Sequence, residues 1–292
     1  MHRVLLPFEF AEPTSVAEVV ELVDGEKARP LAGGVDLVLK MRLRQVVPEK
    51  VVSLRKVSGL EYVQADAGAL RFGALATLRQ IERAPEVKDR WPLLAEAIGC
   101  IVSVQTKVMG TAVGNLCVGT PASDVAPALY ALGARVKIAG RQGVREIPIE
   151  EFFVDAGKTA VGRNEIVTEI VVPVSPSGST GAFLKLSKTS EDIAKVNAAV
   201  MVAVSGDTCT SARIALGSVA PTPVRAMEAE RVLQGRPLSA KTIAEAAEAA
   251  CEAVAPISDV RSTAAYRKEM VRVLVRDALA RAVLRVPAAK EG

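Results

Sequence analysis

Pro30-Leu31-Ala32-Gly33-Gly34-Val35-Asp36-Leu37-Val38-Leu39 is the stretch on which the reading of the fold turns. A short apolar lead runs into a glycine pair, and Leu37-Val38-Leu39 follows as an apolar run of strand length. A glycine pair lets the backbone take positive φ and lets a ligand approach the N–H groups closely. One reading is a nest for a diphosphate, whose charge needs several converging donors; the other is a tight turn. The chain carries neither GxGxxG nor GxxxxGK[ST], and Gly157-Lys158-Thr159 lacks the upstream glycine and follows Phe152-Phe153. The commonest nucleotide folds are therefore excluded, which leaves room for a different dinucleotide fold.

Working outward, Ser15-Val16-Ala17-Glu18 is a capping box that opens a helix with Val16, Val19, Val20 and Val23 on one face. Val51-Val52-Ser53-Leu54 is a strand candidate, so residues 1–55 form a small unit of helices and strands. Residues 70–74 predict a strand. Thr77-Leu78-Arg79-Gln80 is a second capping box, its helix halted near Pro85, and residues 91–98 carry a further helical pattern. Residues 110–124, rich in Gly, Thr, Ser and Pro, predict one long functional loop. It holds a second glycine loop, Gly110-Thr111-Ala112-Val113-Gly114-Asn115, followed by Thr120-Pro121-Ala122-Ser123-Asp124. Thr, Asn and Ser offer side-chain donors there. Asp124 either accepts from a ligand hydroxyl or caps the helix predicted over 125–132.

Strands are expected at 136–138 and 166–172. Ser175-Pro176-Ser177-Gly178-Ser179-Thr180-Gly181 is the clearest linker, and a domain boundary is placed there. Beyond it, strands at 182–186, 198–204 and 212–216 precede two helices, one stepping through Ile243, Ala246, Ala247, Ala250, Cys251 and Val254, the other over 266–284. Strands followed by helices make this part α+β.

Composition narrows the function. The 292 residues are 50% hydrophobic, with 37 Lys and Arg against 33 Asp and Glu, a net charge of +4. The charges are interspersed and aromatics are only 3%, which argues against a basic stripe or stacking platform for nucleic acid. The single histidine, His2, leaves no basis for a histidine metal site or a Ser-His-Asp triad. Cys100, Cys117, Cys209 and Cys251 stand far apart without CxxC spacing, so neither a zinc site nor an iron–sulfur cluster is readable. With no signal-peptide pattern and no apolar run of membrane-spanning length, the expected location is the cytoplasm.

The two glycine loops, taken with their neighbours, resemble the FAD-binding medium subunit of the molybdenum hydroxylases, of the xanthine dehydrogenase, carbon monoxide dehydrogenase and 4-hydroxybenzoyl-CoA reductase types. The likeness runs over nearly the whole chain. It begins with Phe8-Glu9-Phe10-Ala11-Glu12-Pro13-Thr14-Ser15 and Ala32-Gly33-Gly34-x-Asp36-Leu37, then Phe72-Gly73-Ala74-Leu75-Ala76-Thr77-Leu78. Gly110-Thr111, Gly114-Asn115-Leu116 and Pro121-Ala122-Ser123-Asp124-Val125-Ala126-Pro127 follow in register. Phe183-Leu184-Lys185, Glu191-Asp192-Ile193-Ala194-Lys195-Val196 and Tyr266-Arg267-Lys268 complete it.

The resemblance implies an α+β chain: an FAD-binding fold of the vanillyl-alcohol-oxidase (PCMH) type, built of two α+β subdomains over 1–55 and 56–175. A C-terminal α+β domain over 176–292, like that of carbon monoxide dehydrogenase flavoproteins, would follow. It further implies that Leu31, Ala32, Gly33, Gly34, Val35, Asp36 and Leu37 wrap the FAD diphosphate. Ile101, Thr111, Gly114, Asn115 and Ser123 would line a second wall, with Asp124 on a ribityl or ribose hydroxyl, Val167 on the adenine side and Lys185 near the flavin. The implied role is an oxidoreductase subunit that passes electrons between [2Fe-2S] clusters of a small partner and an external acceptor, beside a large molybdopterin subunit, as a heterotrimer or its dimer. No metal, nucleic acid or membrane span is implied. A stand-alone flavin oxidoreductase and a flavin-less scaffold subunit are the alternatives. The chain departs from the family at Val113-Gly114, where two glycines are usual, and at Val108-Met109, where Asn-Arg is usual. Val113 is accordingly expected to crowd the cofactor or to force a different backbone angle.

Overall fold

Ser15 starts the first helix as its spacing predicts: its hydroxyl accepts the Glu18 N–H at 3.2 Å, and the Glu18 carboxylate accepts the Thr14 N–H at 3.0 Å. In this computed structural model, which describes residues 4–286, the chain opens with β1 (Glu9–Ala11), α1 (Val16–Leu22), β2 (Ala28–Leu31), α2 (Val35–Arg42) and β3 (Lys50–Ser53). The three strands form a parallel sheet in the order β1-β3-β2, with α1 and α2 as crossovers. His2 lies outside the described residues.

Leu37-Val38-Leu39, expected as a strand, is helical. Gly34 at φ 75° is the N-cap of α2, and Asp36 in the first turn with Lys40 and Arg42 in the last complements the helix dipole. Three apolar residues in a row do not distinguish the two states, whereas the charges at either end do.

Next come β4 (Val63–Ala65), β5 (Ala69–Gly73), α3 (Leu78–Arg83), α4 (Pro85–Arg90), α5 (Pro92–Gly99), α6 (Val104–Met109), α7 (Ala112–Cys117) and α8 (Val125–Leu132). Then follow β6 (Arg135–Gly140), β7 (Gly143–Pro148), a 3-10 turn, a small ladder of β8 (Phe153–Asp155) with β9 (Lys158–Thr159), and β10 (Glu165–Pro173). An antiparallel five-stranded sheet runs β4-β5-β10-β6-β7. The stretch expected as one long loop over 110–124 contains the helix α7, which Thr111 caps. Thr77 and Gln80 make the full capping box expected of them.

The rest comprises β11 (Ser179–Leu186), β12 (Val196–Ser205), β13 (Thr208–Gly217), β14 (Val224–Arg225), α9 (Met227–Leu233), α10 (Ala240–Glu252) and α11 (Ala264–Val283), the strands antiparallel in chain order. Strands followed by helices give the expected α+β arrangement. One core unites Trp91, Phe72, Leu94, Leu129 and Phe152 and extends to Phe183, Ala199 and Ala215 on one face of the C-terminal sheet. The other face packs on α9 to α11 around Val200, Leu233, Cys251 and Val275. Helix α8, buried at all eight positions, lies between the five-stranded and C-terminal sheets. A helix apolar all round belongs in such a shared interior.

Candidate functional site

A cleft of about 690 Å³ opens beside the first glycine loop, bordered by both N-terminal sheets. That volume falls within the range of roughly 300–1,000 Å³ usual for small-molecule sites. Among the residues singled out from the sequence, Leu31, Ala32, Gly33, Gly34, Val35, Asp36, Leu37, Thr111, Gly114, Asn115 and Val167 border it. Ile101, Ser123, Asp124 and Lys185 do not.

The first wall is rich in free donors. Helix α2 has no side-chain cap, and its first internal bond is Val38 N–H to Gly34 C=O at 3.1 Å. The N–H groups of Gly34, Val35, Asp36 and Leu37 thus have no acceptor among the described residues, and the start of the helix adds partial positive charge. Gly34 holds the left-handed conformation that this helix start needs. Gly33 has a different reason for its identity. A Cβ built there would lie 1.8 Å from the Met109 carbonyl oxygen, so glycine allows the first loop to rest directly against the end of α6.

The second wall is largely self-satisfied. The Thr111 hydroxyl accepts the Gly114 N–H at 3.0 Å, the Ala112 N–H bonds Ala76 C=O at 3.3 Å, and Leu78 N–H bonds Gly110 C=O at 2.9 Å. A Cβ on Gly114 would come within 2.8 Å of the Thr111 oxygen, so this glycine serves the cap. Val113 is 4% exposed and packs in the core, and its φ is outside the left-handed region. The backbone of α7 therefore takes the valine without strain. Its side chain packs in the core and also borders the cleft.

From Asn115 a polar chain leads away from the cleft. Ser123 donates to Asn115 Oδ1 at 2.6 Å and accepts the Ala126 N–H at 3.0 Å. Ser123 thus does the capping that was the alternative role of Asp124, which makes no cap bond. Instead Lys185 Nζ reaches Asp124 Oδ2 at 2.7 Å, with side chains 8% and 7% exposed. Asn197 Nδ2 donates to Asp124 Oδ1 at 2.9 Å and to Ser123 C=O at 3.0 Å. Lys185 also donates to Cys100 C=O at 3.4 Å. Burial pushes the Asp124 carboxyl above its ordinary range, while Lys185 and Asn197 pull it back. Both oxygens of Asp124 are therefore engaged within the protein, and Lys185 is no solvated strand residue. Ile101 packs half-buried against the first core.

Sequence reasoning passed over two residues. Asn197 is wholly buried and leaves Oδ1 without a partner; its signal was a polar residue heading the apolar run of β12. Arg29, just before Pro30, borders the cleft with its Nε buried and unpartnered. Among the described residues no group of three or more His, Cys, Asp or Glu is placed to hold a metal ion, and no helix is long and apolar enough to cross a membrane.

Two family models match the chain: "FAD binding domain in molybdopterin dehydrogenase" over residues 6–175, and "CO dehydrogenase flavoprotein C-terminal domain" over residues 181–282. A carbon monoxide dehydrogenase medium chain from Afipia carboxidovorans is 35% identical over 280 residues, covering 95% of this chain and 97% of that one. A glyceraldehyde dehydrogenase medium chain from Sulfolobus acidocaldarius is 30% identical over 272 residues, covering 93% and 96%. In a solved structure of carbon monoxide dehydrogenase from Hydrogenophaga pseudoflava, one chain superposes with a TM-score of 0.94 at 33% identity, covering 97% of this chain and 99% of that one.

Proposed function

The chain belongs to the FAD-binding medium subunits of the molybdenum hydroxylases, and from that membership we propose that it relays electrons between [2Fe-2S] clusters of a partner subunit and an external acceptor. It is an oxidoreductase subunit and its cofactor is FAD. The observation that carries the proposal is the uncapped start of α2, whose free N–H groups face a cleft of the right size for a ligand. These donors suit a diphosphate. Bound flavin would supply chemistry that no side chain has: it would collect single electrons from the clusters and pass two to the acceptor.

The chain's own residues hold and orient. Gly34 to Leu37 would bind the diphosphate, Thr111, Gly114 and Asn115 would form the facing wall, and Val167 with Val23 would offer apolar surface to the adenine. We assign Ser123, Asp124 and Lys185 a positioning role, because they tie the wall at Asn115 to the C-terminal sheet. Ile101 would support the same wall from the core side. In this reading residues 1–55 and 56–175 hold the cofactor and 176–292 close the site from behind.

The clusters would come from a small iron–sulfur chain and the substrate chemistry from a large molybdopterin chain, in a heterotrimer or its dimer. Relatives named as medium chains support such partners. Four free cysteines suit a reducing compartment, and we place the protein in the cytoplasm on that ground. The test is the absorbance of the purified protein together with mass spectrometry of the chains that co-purify. Bands at about 370 and 450 nm, as for flavins in general, with an iron–sulfur and a molybdopterin chain alongside, are the expected result. A colourless protein that takes up no added FAD and purifies alone overturns the proposal.

A further inference from the structure

Arg29 stands on β2 two residues before Leu31, hence on the same face of the strand, and both border the cleft. Its Nε is closed off from solvent without a hydrogen-bond partner, and its guanidinium enters no ion pair among the described residues. Two other charged side chains of the cleft wall are engaged, while Glu26, Asp36, Lys40 and Lys158 enter no ion pair among the described residues; of the unpaired charges, Arg29 alone has a buried atom without a partner. Arg163 pairs with Asp24, and Glu165 receives two bonds from Arg145 at 2.9 and 2.8 Å. An arginine commonly lays its stem on apolar surface and keeps its head in water. Here part of the head itself is shut in, and a buried guanidinium atom without a partner calls for one.

The same wall carries the donors at the start of α2, which favour an anion. A planar guanidinium adds what they lack: a full positive charge and a fork that meets two phosphate oxygens at once. We propose that Arg29 binds the diphosphate of the dinucleotide and gives the cleft its preference for FAD over the flavin ring alone. The inference rests on the FAD reading above and goes beyond it in naming the residue that selects the diphosphate.

The test uses the full-length protein stripped of flavin and titrated with FAD and with riboflavin at low and high salt, followed by quenching of flavin fluorescence. Arg29→Met should weaken FAD binding by about ten- to a hundredfold and flatten its salt dependence. Riboflavin binding should stay unchanged, and Arg29→Lys should recover part of the loss, since a point charge lacks the fork. Unchanged FAD affinity in Arg29→Met overturns the inference. So does an FAD affinity that falls while remaining as steeply salt-dependent as the wild type. Should Arg29→Met not fold, inorganic pyrophosphate serves on the wild type, where failure to compete with FAD counts against Arg29. If the wild type binds neither FAD nor riboflavin, the FAD reading itself has failed, a result distinct from all of these.

Discussion

Gly33 shows how a residue chosen for one reason serves another. The sequence marks it as a point of close ligand approach, while the structure presses it against the Met109 carbonyl. Gly33→Val must therefore push the first loop off the end of α6, at a cost of about 1–3 kcal/mol for such overpacking. The expected outcome is a lower melting temperature together with reduced flavin content after purification. Full flavin retention would remove the first loop from the binding site. Asp124 and Lys185 carry a second prediction at this scale. Breaking a buried ion pair by removing one partner costs about 3–5 kcal/mol. Burial already holds the Asp124 carboxyl above its ordinary value of 3.8. Between that value and the raised one, the folded protein binds a proton that the unfolded chain does not, so stability falls as pH rises through this window. Lys185→Met widens the window by removing the cation that opposes the shift. Its loss of melting temperature relative to wild type should be largest at alkaline pH and shrink on acidification, as the Asp124 carboxyl takes up its proton. A loss equal at every pH would show that packing, not charge, is what Lys185 supplies.

Among the elements, α2 and α7 differ most from the sequence reading, and for the same reason. Both are short, start at glycine or threonine rather than at an obvious periodic run, and sit where small residues read as loop. Helix α2 runs Val35–Arg42 and α7 only Ala112–Cys117. Helix α7 is too short for two turns of periodicity, and α2 spans barely more than two, so neither marks itself as a helix in sequence. By contrast, α1 and α3 announce themselves through capping boxes, and the long strands β12 and β13 through their apolar runs. The glycine loops, which border the cleft, were legible in the sequence because backbone conformation there depends on local residues. The Asp124–Lys185–Asn197 cluster was not, because its members lie 61 and 73 positions apart from Asp124 and meet only through tertiary packing. Helix α7 also bears on Val113, which packs in the core and borders the cleft. Val113→Gly empties a core position and weakens a helix interior, so it should cost about 2–4 kcal/mol with no gain in FAD affinity. Denaturant unfolding and a flavin titration measure the two effects. Tighter FAD binding in the variant would show that the valine crowds the cleft after all.

At the scale of the whole molecule, the decisive feature is the seam between the FAD-binding half and the C-terminal sheet. Ser218 N–H bonds Pro121 C=O at 2.7 Å, Arg285 pairs with Glu96 at 2.6 Å, and Phe183 N–H reaches Glu96 at 3.2 Å. With α8 buried between the two sheets, these contacts should make the 292-residue chain melt as one unit. Chains well above about 150 residues usually do not. Scanning calorimetry should record a single peak with matching calorimetric and van't Hoff enthalpies, and two resolved peaks would contradict this. The wet or dry fate of α8 has a last implication for how such a protein can be reused. Severing the gene at codons 175–181, where the backbone looks easiest to cut, would strand eight greasy positions on an open flank of the upstream product. The two pieces are thus poor candidates for shuffling into other proteins, because neither inherits a finished surface.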